Sequence, residues 1–374
     1  MAAPSTAFPP LDRHGRPPGV LRLSLTARCN LACPYCLPDD RDPPGLLSTA
    51  ERVALVTAAV GLGVHSLRLT GGEPLLHPQL EELITALRPL RQTGGLREIA
   101  LTSNGSLLSA ERARALRAAG LDRITLSLDG ADGASVARMA GLEAGAAGPG
   151  NALLARVLAA IEHARAAGFD PAAGQLKLNS VIARGRNDDQ LLPLAALARE
   201  RGLELRLIEF MDVGSRNGWS PEQVLPAAEM VRRIGARWPL EPLGRPSHGT
   251  ASRWRYRDGG ADPDHGEGQG PGGSQLAVVA SISAPFCGDC NRLRITADGV
   301  AYTCLFASSG TDLKSILRGG PAGPDAAGLS HALAALWRQR DDRYSEERSA
   351  ALADGGGPGS ASPQPHAEMA YLGG

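Results

Sequence analysis

The sequence lacks several features that would assign it to a common class. It has no run of about 18 apolar residues, so a membrane-spanning helix is not expected. Its 39 Lys and Arg residues balance 39 Asp and Glu residues, so net charge gives no sign of a nucleic-acid partner. The proline-rich stretch 1–19 contains no apolar core of a signal peptide. We therefore expect a cytoplasmic protein, in which clustered cysteines are better explained as metal ligands or redox groups than as disulfides.

Cysteine is scarce, and all 6 cysteines fall into two groups of three. Cys29, Cys33 and Cys36 form C-x3-C-x2-C, whereas Cys287, Cys290 and Cys304 form C-x2-C-x13-C. Thiolates at such spacing are typical ligands of an iron–sulfur cluster or of zinc. A [4Fe–4S] cube held by three cysteines keeps one iron free for a substrate or cofactor. Structural zinc normally has four protein ligands, so zinc remains an alternative only with a further ligand such as His331 near the second group.

Short β-rich segments alternate with Ala- and Leu-rich helical segments through the first 210 residues. The predicted strands are 21–26, 66–70, 98–103, 123–129, 175–182 and 204–210. The predicted helices are 48–61, 78–90, 109–119, 151–167 and 188–201. The series predicts an α/β fold, an open, partial TIM-type barrel of about six β/α units with the chemistry at the carboxyl ends of the strands.

The pattern changes after residue 211. We predict a helix over 221–238, a loop insertion over 244–273, a strand over 276–283 and closing helices over 312–318 and 331–340. The expected organisation is a flexible segment 1–19, a barrel 20–214, a C-terminal extension 215–352 carrying the second cluster, and a flexible linker and tail 353–374.

Several residues at the strand ends and inside the strands are candidates for ligand contacts. T-G-G-E-P ends the second strand, where Gly72 would let a ligand approach the backbone closely. The hydroxyls of Thr102 and Ser127 end later strands, although either could simply cap the next helix. Charged residues in apolar strands need a partner or a ligand, and a group of cations inside one barrel suits a polyphosphate. These cations are Arg22, Arg68, Lys177 and Arg206.

The C-x3-C-x2-C spacing, with Tyr35 before the last cysteine, and the G-G-E-P element resemble the radical S-adenosylmethionine superfamily. Within it, the chain resembles the GTP 3′,8-cyclase family from residue 21 to 374. The further motifs that carry this resemblance are L-T-S-N-G, S-L-D, I-E-F-M-D-V-G, N-G-W, F-C-x2-C-N-R-L-R, C-L-F-A, D-D-R-Y and the final Gly-Gly.

The resemblance implies two [4Fe–4S] clusters and S-adenosylmethionine as cofactors. The first cluster would generate a 5′-deoxyadenosyl radical that abstracts hydrogen from C3′ of GTP, and C3′ would then bond to C8. The second cluster would bind the guanine. The implied S-adenosylmethionine contacts are Tyr35, Gly72, Ser127 and Met211. The implied GTP contacts are Arg22, Arg68, Thr102, Lys177, Arg292 and Arg294, with Arg206 a weaker candidate. The tail residues Gly373 and Gly374 would enter the active site.

The resemblance also implies partners: an external electron donor, a downstream cyclic pyranopterin monophosphate synthase, and a second copy in a homodimer. Two other interpretations remain open from sequence. A radical enzyme acting on peptides would usually carry more cysteines, and a non-catalytic metal-binding scaffold would hold zinc or no metal.

Overall fold

The predicted strands and helices form around one 12-stranded sheet. The computed structural model describes residues 8–93, 95–142, 147–259, 274–319, 325–353 and 366–373. The strands are β1 (Val20–Ser24), β2 (Ser66–Thr70), β3 (Glu98–Ser103), β4 (Arg123–Ser127), β5 (Leu176–Ile182), β6 (Glu204–Glu209), β7 (Leu240–Gly244), β8 (Ser252–Tyr256), β9 (Gln275–Val279), β10 (Arg292–Ile295), β11 (Val300–Tyr302) and β12 (Thr311–Asp312).

Helices follow most of the early strands. They are α1 (Thr49–Gly61), α2 (Leu80–Ala86), α3 (Arg88–Gln92), α4 (Ala110–Ala119), α5 (Gly133–Met139), α6 (Ala147–Ala166), α7 (Leu191–Glu200), α8 (Ala227–Arg237), α9 (Lys314–Arg318), α10 (Ala326–Gln339), α11 (Tyr344–Ala353) and α12 (Met369–Leu372). Among the described residues, no helix is both long enough and apolar enough to cross a membrane.

The sheet is an open barrel. Its strand order is β12-β11-β10-β1-β2-β3-β4-β5-β6-β9-β8-β7, and every neighbouring pair from β10 to β9 is parallel. No pairing in the described part of the chain joins β12 to β7, so the two edges do not meet. This confirms the open α/β barrel predicted from six β/α units. β9 and β10 lengthen its parallel part beyond those units.

The two faces of the sheet differ sharply in polarity because side chains alternate along each strand. Leu21, Leu23 and Leu67 are fully buried on one face, in the same apolar cluster as the helix residues Leu55 and Leu116. The residues between these leucines are polar or charged. In the strand register, Arg22 lies beside Arg68 on β2 and beside Arg294 on β10. The barrel interior is therefore lined by cations from neighbouring strands.

Several predicted elements differ from the structure. The predicted loop 244–273 was wrong for Ser252–Tyr256, which form β8 and pair antiparallel with β9. The predicted helix 78–90 is divided at Leu87, because Pro89, the second residue of α3, has no N–H with which to continue α2. The helix predicted over 312–318 begins only at Lys314, and α11 was not predicted. The proposed domain bounds stay a prediction.

Glu209, at the end of β6, forms hydrogen bonds with two later parts of the chain. Its side chain is fully buried and accepts hydrogen bonds from the backbone N–H groups of Ala227 (2.7 Å), Ile282 (2.7 Å) and Ser283 (2.9 Å). The hydroxyl of Ser283 donates to the same carboxylate. One carboxylate thus joins the start of α8 and the loop after β9 to the end of β6.

Replacing Glu209 with alanine is expected to lower the free energy of unfolding by roughly 3–5 kcal/mol, because three backbone N–H groups lose their buried acceptor. Glu209→Gln keeps one carbonyl oxygen and should cost less. Urea unfolding of the purified variants measures both. Glu200→Ala, on the exposed end of α7, is the matched control and should change little. Equal stability of Glu209→Ala and Glu200→Ala would contradict the assigned role of Glu209.

Candidate active site

The first cysteine loop is fixed where it leaves β1. Asp42 accepts hydrogen bonds from the hydroxyl of Thr26 (2.5 Å) and the N–H of Ala27 (2.8 Å), and pairs with the Nε of Arg28 (3.0 Å). Cys36 donates its N–H to the carbonyl of Cys33 at 2.9 Å, which closes a turn between the last two cysteines. The loop is therefore held at its start by one carboxylate and is folded tightly at its end.

The glycine pair after β2 lies directly against this loop. Gly72 donates its N–H to the carbonyl of Thr26 at 2.8 Å, and Glu73 donates to the carbonyl of Arg28 at 2.9 Å. A Cβ on Gly72 would lie 2.1 Å from the carbonyl oxygen of Arg28, so only glycine fits here. The close approach aligns the G-G-E-P backbone with the residue just before Cys29.

The first cavity has a volume of about 150 Å³ and brings together the three thiols of this loop and the first strand ends. Tyr35, Gly72, Thr102 and Ser127 line it together with Cys29, Cys33 and Cys36. The hydroxyl of Tyr35 donates to Asp129 at 2.6 Å. Burial raises the pKa of Asp129 to about 6, against the opposing effect of the Tyr35 and Val181 donors. Three of the four predicted cofactor contacts thus share a cavity with the first cysteine group.

The second cavity, of about 170 Å³, contains the other three thiols. Cys287, Cys290 and Cys304 line it with five of the predicted substrate residues and with Met211, the remaining predicted cofactor contact. Those substrate residues are Arg22, Thr102, Arg206, Arg292 and Arg294. Thr102 lines both cavities, so the two cavities are neighbours.

Each thiol group fits an iron–sulfur cube better than a single zinc ion. All six cysteines are free, and no further cysteine or histidine of the described chain lines either cavity. His331, the alternative zinc ligand, is exposed on α10. No described group of three or more Cys, His, Asp or Glu side chains is placed to hold one metal ion. A cube binds each cysteine through a separate iron, so its thiols need not converge on a single point.

The environments of the thiols differ even within one cavity. Burial raises the pKa of Cys36 to about 12 and that of Cys304 to about 12. Burial also acts on Cys290, but the charges of Arg292 and Arg340 outweigh it and lower the pKa of Cys290 to about 6. Metal ligation requires the thiolate, so binding at the more buried thiols must release protons. Burial raises the pKa of Cys29 as well, against the opposing effect of Asn104, which can donate to its sulfur at 3.7 Å.

The interior arginines form one electrostatic group around Arg22. Burial, followed by the charges of neighbouring arginines, lowers the pKa of Arg22 well below its ordinary value. In order of decreasing effect, these neighbours are Arg294, Arg292, Arg68 and Arg206. The Nε of Arg22 and the Nη1 of Arg294 are buried without a hydrogen-bond acceptor. Unpaired buried guanidinium groups are costly in a protein alone, and an anionic ligand would satisfy them.

Three other predicted cations form ion pairs with carboxylates at the amino-terminal ends of β3 and β6. Lys177 pairs with Glu204 at 2.8 Å, and Arg206 pairs with the same carboxylate at 2.6 Å. Arg68 pairs with Glu98 at 3.3 Å. Neither Lys177 nor Arg68 lines one of the two cavities. Their pairing agrees with the alternative that the charged strand residues have protein partners, at least in the absence of a ligand.

The tail reaches the boundary between the cavities. The carbonyl of Gly373 accepts hydrogen bonds from Arg22 Nη1 and Thr70 Oγ1, each at 3.2 Å. Thr70 lines the first cavity and Arg22 the second. Glu368 fixes the start of this segment through Ser215 and Arg216. The structure thus places Gly373 between the two cavities, whereas Gly374 is outside the described residues.

Sequence reasoning missed several arginines in the site or beside its predicted residues. Arg123 begins β4 and pairs with Glu98 at 3.0 Å, and its position in an apolar strand was the same signal that identified Arg22. Arg253 lies on β8 and was missed because that stretch was taken as a loop. Arg340 lines the second cavity, and its position beside D-D-R-Y offered a signal that was not used.

Comparisons with known proteins agree with this arrangement. Residues 23–198 match the model of the Radical SAM superfamily, and residues 203–346 match Molybdenum Cofactor Synthesis C. The chain is 58% identical over 364 residues to a GTP 3′,8-cyclase of Synechococcus sp. (strain CC9902), covering 97% of this chain and 98% of the relative. It is 46% identical over 352 residues to a GTP 3′,8-cyclase of Xanthomonas campestris pv. campestris (strain B100), covering 92% and 94%.

A solved structure shows the same fold. The crystal structure of Streptococcus suis SuiB bound to S-adenosylmethionine matches with a TM-score of 0.57 at 14% identity, over 90% of this chain and 69% of that chain. At this identity the match concerns the fold alone.

Proposed function

Because this chain belongs to the GTP 3′,8-cyclase family of radical S-adenosylmethionine enzymes, we propose that it converts GTP to 3′,8-cyclo-7,8-dihydro-GTP, the first step of molybdenum cofactor biosynthesis. One observation carries the proposal: two three-cysteine cavities share Thr102, and the carbonyl of Gly373 lies between them. The names of the full-length relatives support neither a peptide substrate nor a non-catalytic scaffold.

We assign the first cavity to a [4Fe–4S] cluster with S-adenosylmethionine and the second to a [4Fe–4S] cluster that meets the substrate. When bound, the first cluster and S-adenosylmethionine would supply homolytic abstraction of a hydrogen atom. Cys29, Cys33 and Cys36 would hold that cluster. Tyr35, Gly72 and Ser127 would orient S-adenosylmethionine, and Met211 would contact it from the side of the second cavity.

The second cavity would hold GTP across the interior of the barrel. Arg22, Arg206 and the paired cations Arg68 and Lys177 would bind the triphosphate, because buried guanidinium groups form strong charge-assisted bonds to phosphate. Arg292 and Arg294 would position the nucleotide beside Cys287, Cys290 and Cys304. Thr102 would lie between nucleotide and S-adenosylmethionine. The chain thereby keeps C3′ and C8 of one bound molecule close together and excludes water.

The reaction conserves the composition of GTP. C3′ loses one hydrogen atom, C3′ and C8 become bonded, and one electron and one proton complete the 7,8-dihydro ring. The hydrogen atom lost from C3′ ends in 5′-deoxyadenosine. Two electrons require an external donor: the one that completes the ring and the one consumed when S-adenosylmethionine is split into methionine and 5′-deoxyadenosine. We further propose a cytoplasmic location, a homodimer, and transfer of the product to a cyclic pyranopterin monophosphate synthase.

Anaerobic turnover of the reconstituted chain with GTP, S-adenosylmethionine and dithionite tests the proposal. Mass spectrometry should find a GTP isomer together with 5′-deoxyadenosine. Cys33→Ala should form neither compound, because it removes a ligand of the first cluster. Cys304→Ala should still form 5′-deoxyadenosine but no GTP isomer. Formation of 5′-deoxyadenosine by the unmodified chain with GTP left intact would exclude GTP as the substrate.

A further inference from the structure

Buried arginine side chains from two distant parts of the chain contact the second cysteine loop, and one aspartate pairs with both of them. We propose that Arg340 is a positioning residue for the cluster at Cys287, Cys290 and Cys304, that it orients the Cys290 thiolate, and that Asp12 holds it in place. The inference rests on the proposed second cluster and assigns residues outside its ligand set.

Arg340 makes two contacts with a single ligand residue. Its Nη2 donates to the sulfur of Cys290 at 3.1 Å, and its Nη1 donates to the carbonyl of Cys290 at 2.6 Å. The side chain is only 1% exposed and lies over the ring of Trp337 at 4.8 Å. A planar guanidinium can satisfy a sulfur and a carbonyl together, whereas an ammonium offers no such fixed fork. The geometry therefore fixes both the position and the direction of the thiolate.

Asp12 connects Arg340 to the N-terminal segment. Its Oδ2 lies 3.3 Å from Arg340 Nη1 and 2.6 Å from Arg16 Nε, and its side chain is completely buried. Arg16 in turn donates to the carbonyl of Cys287 at 2.6 Å. One carboxylate thus aligns two arginines, each of which contacts a different cysteine of the group. Asp12 and Arg16 are buried, whereas the sequence predicted a flexible segment over residues 1–19.

Asp12, Arg16 and Arg340 would surround the metal ligands without binding the metal themselves. A buried ion pair is weak support for a stabilising role, because desolvation offsets much of its attraction. Hydrogen bonds to ligand sulfurs, in contrast, orient the ligands and shift the reduction potential of iron–sulfur clusters. A cationic donor to the thiolate favours the reduced cluster, which carries more negative charge. Loss of Arg340 should therefore make the potential more negative and weaken substrate binding at that cluster.

The test uses full-length chains carrying Cys33→Ala, so that the second cluster alone gives the spectroscopic signal. Arg340→Gln and Arg340→Lys are compared with Arg338→Gln, a matched control on the exposed side of α10. Iron content, the midpoint potential followed by electron paramagnetic resonance, and the dissociation constant of GTP are measured. We expect a more negative potential and about tenfold weaker GTP binding in Arg340→Gln, a smaller change in Arg340→Lys, and none in the control.

A second variant keeps the inference testable if Arg340→Gln fails to retain iron. Asp12→Asn preserves the shape of the carboxylate but frees Arg340, and it should weaken GTP binding as Arg340→Gln does. An unchanged potential and GTP affinity in an iron-loaded Arg340→Gln or Asp12→Asn chain would overturn the positioning role alone. Absence of any cluster from the Cys33→Ala chain would overturn the proposed second cluster as well.

Discussion

Gly72→Ala is expected to lower 5′-deoxyadenosine formation by at least about 100-fold, since displacement of a reacting group by about 1 Å costs that much. The added Cβ would lie 2.1 Å from the carbonyl oxygen of Arg28 and 2.7 Å from that of Ala27. Both neighbours are backbone atoms, so no side-chain rotation relieves the contact. The residue that must move directly precedes Cys29. The rate of 5′-deoxyadenosine formation, measured anaerobically with and without GTP, checks this prediction.

Gly61→Ala is the matched control for the Gly72 substitution. Gly61 is the last residue of α1, and a Cβ there would meet no atom within 4 Å. Alanine has the higher helix propensity, so this variant should be as stable as the parent or more stable by up to about 1 kcal/mol. Full activity in Gly72→Ala would show that the loop tolerates the shift and would contradict the tight fit between the loop and the glycine pair.

Arg22→Met is expected to weaken GTP binding without lowering the stability of the ligand-free chain. Loss of a charge-assisted bond to phosphate should weaken GTP binding by roughly 10- to 100-fold. The ligand-free chain should not be destabilised, because methionine removes a buried charge that neighbouring arginines repel. Titration calorimetry with GTP and thermal unfolding of the ligand-free chain measure the two effects.

Comparing the affinities of GTP and guanosine shows whether Arg22 contacts the phosphates or the nucleoside. Its affinity should be unchanged by Arg22→Met, since it lacks the phosphates, and Arg114→Gln on the exposed face of α4 should change neither affinity. An equal loss for guanosine and GTP would place Arg22 against the nucleoside instead. Lower thermal stability of the ligand-free Arg22→Met chain would show that its bond to Gly373 outweighs the repulsion.

Local patterns in the sequence predicted much of this site. Cys29, Cys33 and Cys36 lie within one loop, so their spacing alone brings them together. Arg22 and Arg68 were recognisable because charges are rare in buried apolar strands, and the parallel register places them side by side. Glycine in T-G-G-E-P likewise marked a close backbone approach, which the Gly72 contacts show.

Contacts between distant residues could not be predicted in this way. Asp12 and Arg340 are separated by 328 positions, and nothing near either residue identifies the other. β8 was missed because glycine- and proline-rich sequence surrounds S-R-W-R-Y, although its pairing with β9 stabilises it as a strand. The pairing of Lys177 and Arg206 with one carboxylate depends on the neighbouring positions of β5 and β6 in the sheet.

The position of β6 limits where the chain can be divided and joined to a segment of a relative. The first matched region ends at residue 198 and the second begins at 203, just before β6. That strand pairs with β5 on one side and with β9 on the other, and Glu209 fastens its end to later segments. A division between the two regions would expose a long parallel edge on β5, which invites aggregation. The two regions are thus one structural unit, and exchanging either with a relative requires the β5–β6 edge to match.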